Sequence, residues 1–349
     1  MTDRDSGLRK VFITGATGFI GGAVARALSM QGYEVIACVR PQKRNEINFC
    51  PVVCADFFQT VSLDDIIEPC DVIIHVASIR NRWKTTADQY WQVNVDSTRA
   101  LLEASVGKAN RFIYISSVGV HGFPGVNNID ENFPVITPKS NIDYHSSKVV
   151  AEGIVQNFSN QLETVIIRPT ITYGIGDTDG MVTRIIKMIA ERRYLQIGNG
   201  RNTIHLTYID DLVEGIILAM NTSAATGQVY ILSGNEPIEI QSLFYLIREY
   251  LNLTYTPLYV PENIARFFAG IIESGYWVVE KANFKPRIAP PITQEKINIF
   301  CKHRSYSHNK ATNFLGYTPK VTIEDGLSRT IRWMREKRYL SVASVGEDG

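Results

Sequence analysis

The chain has 349 residues, of which 45% are hydrophobic and 20% charged, and its formal net charge is +1. This composition is typical of a soluble globular protein with about two domains. A chain so close to neutral lacks the basic surface that nucleic acids or anionic membranes attract, so we expect neither as a partner.

The chain also lacks the usual signals for secretion and membrane insertion. Its first residues, MTDRDSGLRK, have no apolar core, and no apolar run reaches the roughly 18 residues that a spanning helix requires. The five cysteines match no metal-ligand spacing and are expected to be reduced thiols: Cys38, Cys50, Cys54, Cys70 and Cys301. We therefore expect a cytoplasmic protein without a membrane span or a bound metal.

Short segments rich in β-branched and aromatic residues alternate with segments of helical periodicity. The predicted strands are KVFITG, EVIACV, DVIIHVA, RFIYISS and TVIIRP. Strands that are apolar on both faces and alternate with helices indicate a parallel sheet covered by helices on each side. The first half is therefore expected to be an α/β, doubly wound parallel sheet.

The first predicted strand runs into a glycine-rich turn, FITGATGFIGGAVARAL, in which Gly15, Gly18 and Gly21 are spaced G-x-x-G-x-x-G. Glycines here allow a tight turn and a close approach to a pyrophosphate, and the helix that follows offers free N–H groups. A purely structural turn is the alternative. The position after the first strand of an alternating α/β chain favours dinucleotide binding.

The second predicted strand ends at Arg40, with Lys43 and Arg44 close behind. A carboxylate at this place would bind the ribose 2′-hydroxyl of NAD, whereas a guanidinium suits a 2′-phosphate. The segment favours NADP(H), with NAD left open and a solvated basic loop as the alternative. Asp56, in CADF, is placed to accept a hydrogen bond from the adenine amino group, or else to cap its own loop.

Polar side chains with catalytic potential follow the fourth of these strands. In FIYISSVGVHG the predicted strand ends in Ser116 and Ser117, and NIDYHSSKVVAEG places Tyr144 and Lys148 one helical turn apart. Carboxyl ends of parallel strands lie beside the cofactor, so these side chains can converge. A phenol has an unperturbed pKa of about 10, and we expect the Lys148 ammonium to lower it.

After about Pro169 the regular alternation ends. MVTRIIKMIAERR and IDDLVEGIILAMN are predicted helices, and PENIARFFAGIIESGYWVVE is a long amphipathic stretch. We expect a dinucleotide-binding Rossmann domain over 1–170, with 206–235 packing back on it. A smaller, mixed C-terminal substrate lobe is expected over 171–205 and 236–340, and a flexible tail over 341–349.

These segments resemble the extended short-chain dehydrogenase/reductase superfamily (the NAD-dependent epimerase/dehydratase family) from about Lys10 to Lys337. The resemblance rests on TGATGFIG, HVA, VNVDST, YISS, YHSSK, IIRPTITYG, YIDDLVEG and LGYTPKVTIEDGLSRTIRW. It implies that Tyr144 is the general acid/base, that Lys148 binds the nicotinamide ribose and that Ser117 polarises the reacting oxygen. Asn94 would support their hydrogen-bond network.

The resemblance also implies a set of cofactor contacts and a homodimer. The contacts expected are Gly15, Thr17, Gly18, Phe19, Ile20, Gly21, Arg40, Asp56, Phe57, Val76, Ala77, Ser116, Tyr144, Lys148, Pro169 and Thr170. His75 is expected to be a hydrogen-bonded residue at the cofactor loop, and His121 is assigned no role.

Several segments distinguish branches of the superfamily. Sugar-nucleotide epimerases and dehydratases usually carry an Asn that contacts the substrate diphosphate, where this chain has Ile171 in RPTITYG. The RPT segment, the end of the second strand and the tail resemble 3β-hydroxysteroid dehydrogenases and dihydroflavonol reductases. An aromatic stretch suits a hydrophobic substrate, unless it forms the core of the lobe: Phe267, Phe268, Tyr276 and Trp277.

The expected function is therefore an NADP(H)-dependent oxidoreductase that acts on a ketone or secondary alcohol of steroid, flavonoid or β-keto type. A nucleotide-sugar epimerase or dehydratase with tightly bound NAD is the alternative. A non-catalytic dinucleotide-sensing protein is a more remote one, because such proteins typically lose the tyrosine or the lysine.

Overall fold

The computed structural model describes residues 9–58, 63–80, 84–281 and 289–340, and the structural statements below concern these ranges. The predicted flexible tail, 341–349, lies outside the described residues.

Fourteen strands lie in the described part of the chain. They are β1 (Lys10–Thr14), β2 (Glu34–Val39), β3 (Val52–Cys54), β4 (Cys70–His75), β5 (Ala109–Ile115), β6 (Val126–Ile129), β7 (Glu163–Pro169), β8 (Ile171–Tyr173), β9 (Leu195–Ile197), β10 (Thr203–Tyr208), β11 (Val229–Leu232), β12 (Pro237–Glu239), β13 (Leu258–Val260) and β14 (Arg304–Tyr306). The five strands predicted from the sequence are confirmed as β1, β2, β4, β5 and β7.

Eleven α-helices lie in the same ranges. They are α1 (Phe19–Met30), α2 (Ala87–Tyr90), α3 (Ser97–Ser105), α4 (Tyr144–Asn157), α5 (Met181–Ala190), α6 (Ile209–Asn221), α7 (Ile240–Tyr250), α8 (Glu262–Lys281), α9 (Gln294–Cys301), α10 (Asn309–Leu315) and α11 (Ile323–Glu336). The two helices predicted for the second half are confirmed as α5 and α6, and the long amphipathic stretch forms α8. Among the described helices, none combines the length and apolar composition needed to cross a membrane.

Seven parallel strands form the large sheet, in the order β3-β2-β1-β4-β5-β7-β11. The strand order reverses between β1 and β4, where Thr14 lies beside His75. In doubly wound sheets a ligand binds outside the carboxyl ends of the strands at this reversal. The predicted doubly wound parallel fold is therefore confirmed, and its cofactor crevice is expected at the ends of β1 and β4.

Both faces of the sheet are buried. On one face Val11 and Ile13 pack in a cluster that includes α1 and α6, and on the other Phe12, Ile73 and Phe112 pack with α3 and α4. Each fully buried side chain of this size contributes about 1.5–3 kcal/mol relative to an exposed one. Burial on both faces explains why the strand sequences are continuously apolar.

The second half of the chain adds smaller sheets and returns to the large one. β11 pairs with β7 at the edge of the large sheet, whereas β8, β10 and β12 form a three-stranded sheet. β14 pairs in parallel with β6, so a segment near residue 304 lies beside the segment that follows β5. The domain boundaries given above stay a prediction.

A buried ion pair joins α4 to β7. The Arg168 guanidinium donates to both oxygens of the Glu152 carboxylate, Nε to Oε1 at 3.0 Å and Nη2 to Oε2 at 2.7 Å. Both side chains are only 5% exposed. The two parallel bonds fix the position of α4 on the sheet, and removing one partner would leave an uncompensated buried charge.

Glu152→Gln should therefore lower the free energy of unfolding by about 3–5 kcal/mol, because Arg168 keeps its charge without a counterion. Urea denaturation followed by circular dichroism measures the change. The matched control is Glu214→Gln, whose pair with Lys320 is exposed and should change the unfolding midpoint little. Equal midpoints for the two variants would show that the buried pair does not stabilise the fold.

Candidate active site

The glycine-rich turn after β1 is packed against the loop that follows β4. Gly15 has a φ of +73°, and a Cβ placed on it would lie 2.8 Å from the backbone nitrogen of Ala77. A Cβ on Gly21 would lie 2.3 Å from the carbonyl oxygen of Gly15. Only glycine fits either position without a backbone shift, because both neighbours are main-chain atoms.

The N-terminus of α1 faces the same crevice. The helix begins at Phe19 after Gly18, which has no side chain to cap the first turn, and no acidic residue lies in that turn. The first backbone N–H groups and the positive end of the helix dipole are thus available to an anion. The predicted contacts Gly15, Thr17, Gly18, Phe19, Ile20 and Gly21 all belong to this turn.

Thr14 fixes the loop after β4. Its Oγ1 accepts hydrogen bonds from the backbone N–H groups of Val76 and Ala77, at 3.2 and 3.1 Å, and contacts His75 Nδ1 at 2.7 Å. The other ring nitrogen of His75 contacts Thr98 Oγ1 at 3.0 Å. Burial, with the Lys148 charge, lowers the pKa of His75 to about 3. His75 is thus a hydrogen-bonded structural residue, as predicted, whereas sequence reasoning missed Thr14.

Three predicted cofactor contacts follow β2 and β3. Arg40 comes directly after β2, is exposed and makes no ion pair with any described residue. Lys43, by contrast, pairs with Glu46 at 2.6 Å. Asp56 Oδ1 accepts a hydrogen bond from the backbone N–H of Phe58 at 3.1 Å, so Asp56 caps its own loop. The other predicted contact, Phe57, lies edge-on to His75.

The ends of β5 and β7 hold the remaining predicted cofactor contacts. The hydroxyl of Ser116 is buried and has no hydrogen-bond partner among the described residues. Thr170, after Pro169, instead contacts Thr207 through its hydroxyl at 2.5 Å. A buried hydroxyl without a partner is expected to bond a ligand. Together with the tight turn and the open helix N-terminus, it makes this crevice fit a dinucleotide.

Lys148 lies on α4 and points at the end of β5. Its Nζ donates to the carbonyl oxygen of Ile115 at 2.8 Å and to the hydroxyl of Tyr114 at 3.2 Å. Burial lowers the pKa of Lys148 to about 7, although the nearby Glu152 carboxylate acts in the opposite direction. Loss of water around the ammonium is thus only partly compensated by the charge of Glu152.

Tyr144 is the first residue of α4 and lies beside Ser117. Burial raises the pKa of Tyr144, although its hydrogen bond with Ser117 and the Arg80 guanidinium both lower it. The prediction that Lys148 lowers the pKa of Tyr144 was wrong, because the ammonium is directed at Ile115 and Tyr114 instead. Arg80 was missed by sequence reasoning, since it lies in a loop without a recognisable pattern.

Asn94 connects the cofactor loop to α4. It lies in a turn of π-helix, Trp91–Asp96, between α2 and α3. Its Oδ1 accepts from the backbone of Ile79 at 2.8 Å, and its Nδ2 donates to Ile79 O at 3.1 Å and to Ser147 Oγ at 2.9 Å. Such local widening of a helix is frequent at functional sites. It directs the Asn94 amide toward α4.

The aromatic stretch of α8 lies at the surface. Phe267 is 66% exposed, Phe268 54% and Trp277 57%, so these side chains do not form the core of the lobe. Two arginines of the second half that could bind a diphosphate in place of the missing Asn are already paired, Arg184 with Asp179 and Arg193 with Glu191. Ile171 lies in β8 beside Leu206 and offers no hydrogen bond from its side chain.

Comparisons with known proteins agree with this geometry. The sequence profile of the NAD dependent epimerase/dehydratase family matches residues 11–233. The chain is 27% identical to 3beta-hydroxysteroid-dehydrogenase/decarboxylase isoform 1 of Arabidopsis thaliana, over 80% of this chain but only 65% of that protein. It is 25% identical to 2-alkyl-3-oxoalkanoate reductase of Stenotrophomonas maltophilia (strain K279a), over 92% of this chain and 98% of that protein.

A solved structure shows the same fold. UDP-glucuronic acid 4-epimerase from Bacillus cereus, in complex with NAD, superposes with a TM-score of 0.73 at 24% identity, covering 94% of this chain and 99% of that one. The family match covers more than half of the chain and includes the glycine turn, Ser117, Tyr144 and Lys148. The chain therefore belongs to the NAD-dependent epimerase/dehydratase family and is an NAD(P)-dependent oxidoreductase of the extended short-chain dehydrogenase/reductase type.

Proposed function

We propose that this protein is an NADP(H)-dependent enzyme that interconverts a ketone and a secondary alcohol on a hydrophobic small molecule of steroid, flavonoid or β-keto type. The main support is the hydrogen-bonded pair of Ser117 and Tyr144, which lies beside a buried Lys148 at the carboxyl end of β5. Relatives named as a hydroxysteroid dehydrogenase and an oxoalkanoate reductase support the reaction class.

A proton donor and an oxygen-binding group are both present in this arrangement. The bound nicotinamide supplies the hydride for reduction or accepts it in oxidation. Ser117 holds the substrate oxygen through its hydroxyl. The raised pKa of Tyr144 keeps the phenol protonated at neutral pH, so Tyr144 is suited to donate a proton to the oxygen that becomes an alkoxide. Lys148 would bind the nicotinamide ribose, and Asn94 would hold the cofactor loop against α4.

The alternative is a nucleotide-sugar epimerase or dehydratase. The Bacillus cereus enzyme with the same fold is named as a UDP-glucuronic acid 4-epimerase. This alternative is less well supported, because Ile171 offers no polar group to a diphosphate and burying that charge without partners is heavily penalised. The non-catalytic alternative is disfavoured because Ser117, Tyr144 and Lys148 are all retained. The homodimer and the cytoplasmic location stay predictions.

A substrate panel tests the proposal. With NADPH, we expect turnover of apolar ketones such as methyl 3-oxodecanoate, while UDP-glucose and dTDP-glucose neither react nor compete. The oxidation of NADPH is followed by absorbance, and thermal shift reports binding. Micromolar binding of a nucleotide sugar, with no turnover of any apolar ketone, would contradict the proposal and favour the epimerase. The control is Tyr144→Phe, which should keep the fold and cofactor affinity but lose about two to four powers of ten in turnover.

Arg40→Ala tests the choice of cofactor. If the Arg40 guanidinium binds the 2′-phosphate, the substitution should weaken NADPH binding by about 1.5–3 kcal/mol, as for a hydrogen bond to a charged group, and leave NADH nearly unchanged. Titration of both cofactors against both proteins gives the two differences. Arg44→Ala, which removes a neighbouring exposed charge, is the matched control. Equal losses for NADPH and NADH would exclude a contact between Arg40 and the phosphate.

Lys148→Met tests the burial of the ammonium. The pKa of Lys148 falls from 10.5 to about 7 on folding. Between these two pH values the unfolded chain therefore binds a proton that the folded chain lacks. The stability of the wild-type protein should therefore rise with pH above about 7, by up to about 1.4 kcal/mol per pH unit from this group. The variant should lack this contribution. Cofactor-free urea denaturation between about pH 7 and pH 9 measures both, and parallel curves would show that Lys148 stays charged.

A further inference from the structure

Arg304, in β14, is a cation whose buried donor has no partner. Its Nε is buried and makes no hydrogen bond within the described residues, whereas Nη2 donates to the carbonyl oxygen of Ile299 at 3.3 Å. It forms no ion pair with a described carboxylate. A guanidinium stays protonated in proteins, so a sheltered one without a counterion is costly. An anionic ligand would remove this cost.

Contacts between aromatic rings connect Arg304 to the catalytic helix. The guanidinium lies 5.2 Å from the centroid of the Phe123 ring. Phe123 in turn packs edge-on against His145, with 5.8 Å between ring centroids. His145 directly follows Tyr144, and their ring centroids are 5.3 Å apart. Arg304 is therefore on the side of the site that the second half of the chain covers.

His145 places a second unpartnered polar atom close to the reacting groups. Its Nδ1 is buried without a partner among the described residues, while its Nε2 lies 3.6 Å from Glu295 Oε1. A Cβ built on Gly119 would lie 2.3 Å from His145 Nδ1 and 3.2 Å from Ser117 Oγ. The imidazole and the catalytic hydroxyl thus border the same residue. The Glu295 carboxylate contacts the opposite ring nitrogen.

The same side of the site holds a third unpartnered polar group. The hydroxyl of Tyr306, two residues after Arg304 and on the same face of β14, is buried and unpartnered in the described structure. Its ring packs in a cluster with Val118, the residue after Ser117. Buried polar groups are nearly always hydrogen-bonded in folded proteins, so the orphan donors of Arg304 and Tyr306 on one strand indicate a polar ligand.

We propose that Arg304 binds a carboxylate of the substrate, so that the enzyme prefers a hydrophobic oxo acid or hydroxy acid to the neutral ketone or alcohol. A guanidinium presents parallel N–H groups that match a carboxylate, and the site is shielded from water, which strengthens the bond. The inference names the substrate class of the proposed oxidoreductase and rests on that proposed function.

Arg304→Met tests the inference with a matched pair of probes, 3-hydroxydecanoate and its methyl ester, oxidised with NADP+. The ratio of kcat/KM for the acid to that for the ester should fall about 10- to 150-fold, as expected for the loss of a charged hydrogen bond, and the change should lie mainly in KM. Arg304→Lys should restore part of the ratio. Lys302→Met, which removes an exposed charge nearby, should leave the ratio unchanged. An unchanged ratio in Arg304→Met would overturn the inference.

The outcomes separate the inference from the function on which it rests. If the wild-type protein oxidises the ester and the acid equally, and the ratio does not depend on Arg304, the inference fails while the proposed function stands. If neither probe reacts with NADP+ or NAD+, and UDP-glucose binds in an Arg304-dependent manner, both fail. Arg304→Gln, judged by the same ratio, replaces Arg304→Met if circular dichroism shows that the latter does not fold.

Discussion

The buried ion pair between Glu152 and Arg168 is the interaction on which the active site depends. Glu152 lies on α4 four residues after Lys148 and eight after Tyr144, so all three share one side of the helix. Fixing the carboxylate to β7 therefore also fixes the direction of the lysine and the tyrosine. The carboxylate serves two cations, since Arg168 donates to it directly and Lys148 is influenced by its charge.

Burial explains the protonation states of the groups beside this pair. Loss of water disfavours a charged side chain, and for Lys148 the attraction of the Glu152 carboxylate offsets this loss only in part. Lys148 responds with a pKa lowered to about 7, and His75 with one lowered to about 3. Tyr144 keeps its proton because its own burial outweighs the hydrogen bond of Ser117. The free site is thus prepared to donate a proton, which fits reduction of a ketone.

The sequence predicted the elements well because each is encoded locally. The bounds of β2 and α6 match the quoted segments, and the glycine turn follows from steric needs at Gly15 and Gly21. Contacts between distant segments were not predictable in this way. Periodicity shows that a residue is buried but not which groups surround it. The direction of the Lys148 ammonium, the Glu152 contact and the exposed aromatic face of α8 therefore emerged only from the structure.

The two sides of the site come from different parts of the chain. The groups that we propose to face the cofactor follow the ends of β1, β4 and β5, and their spacing is set by the register of one parallel sheet. Arg304, which we propose to face the substrate, lies in β14, and β14 pairs with β6. A change at Arg304 therefore alters which molecule binds without moving Tyr144 or the nicotinamide crevice. Selectivity can vary on this fold while the hydride and proton geometry is kept.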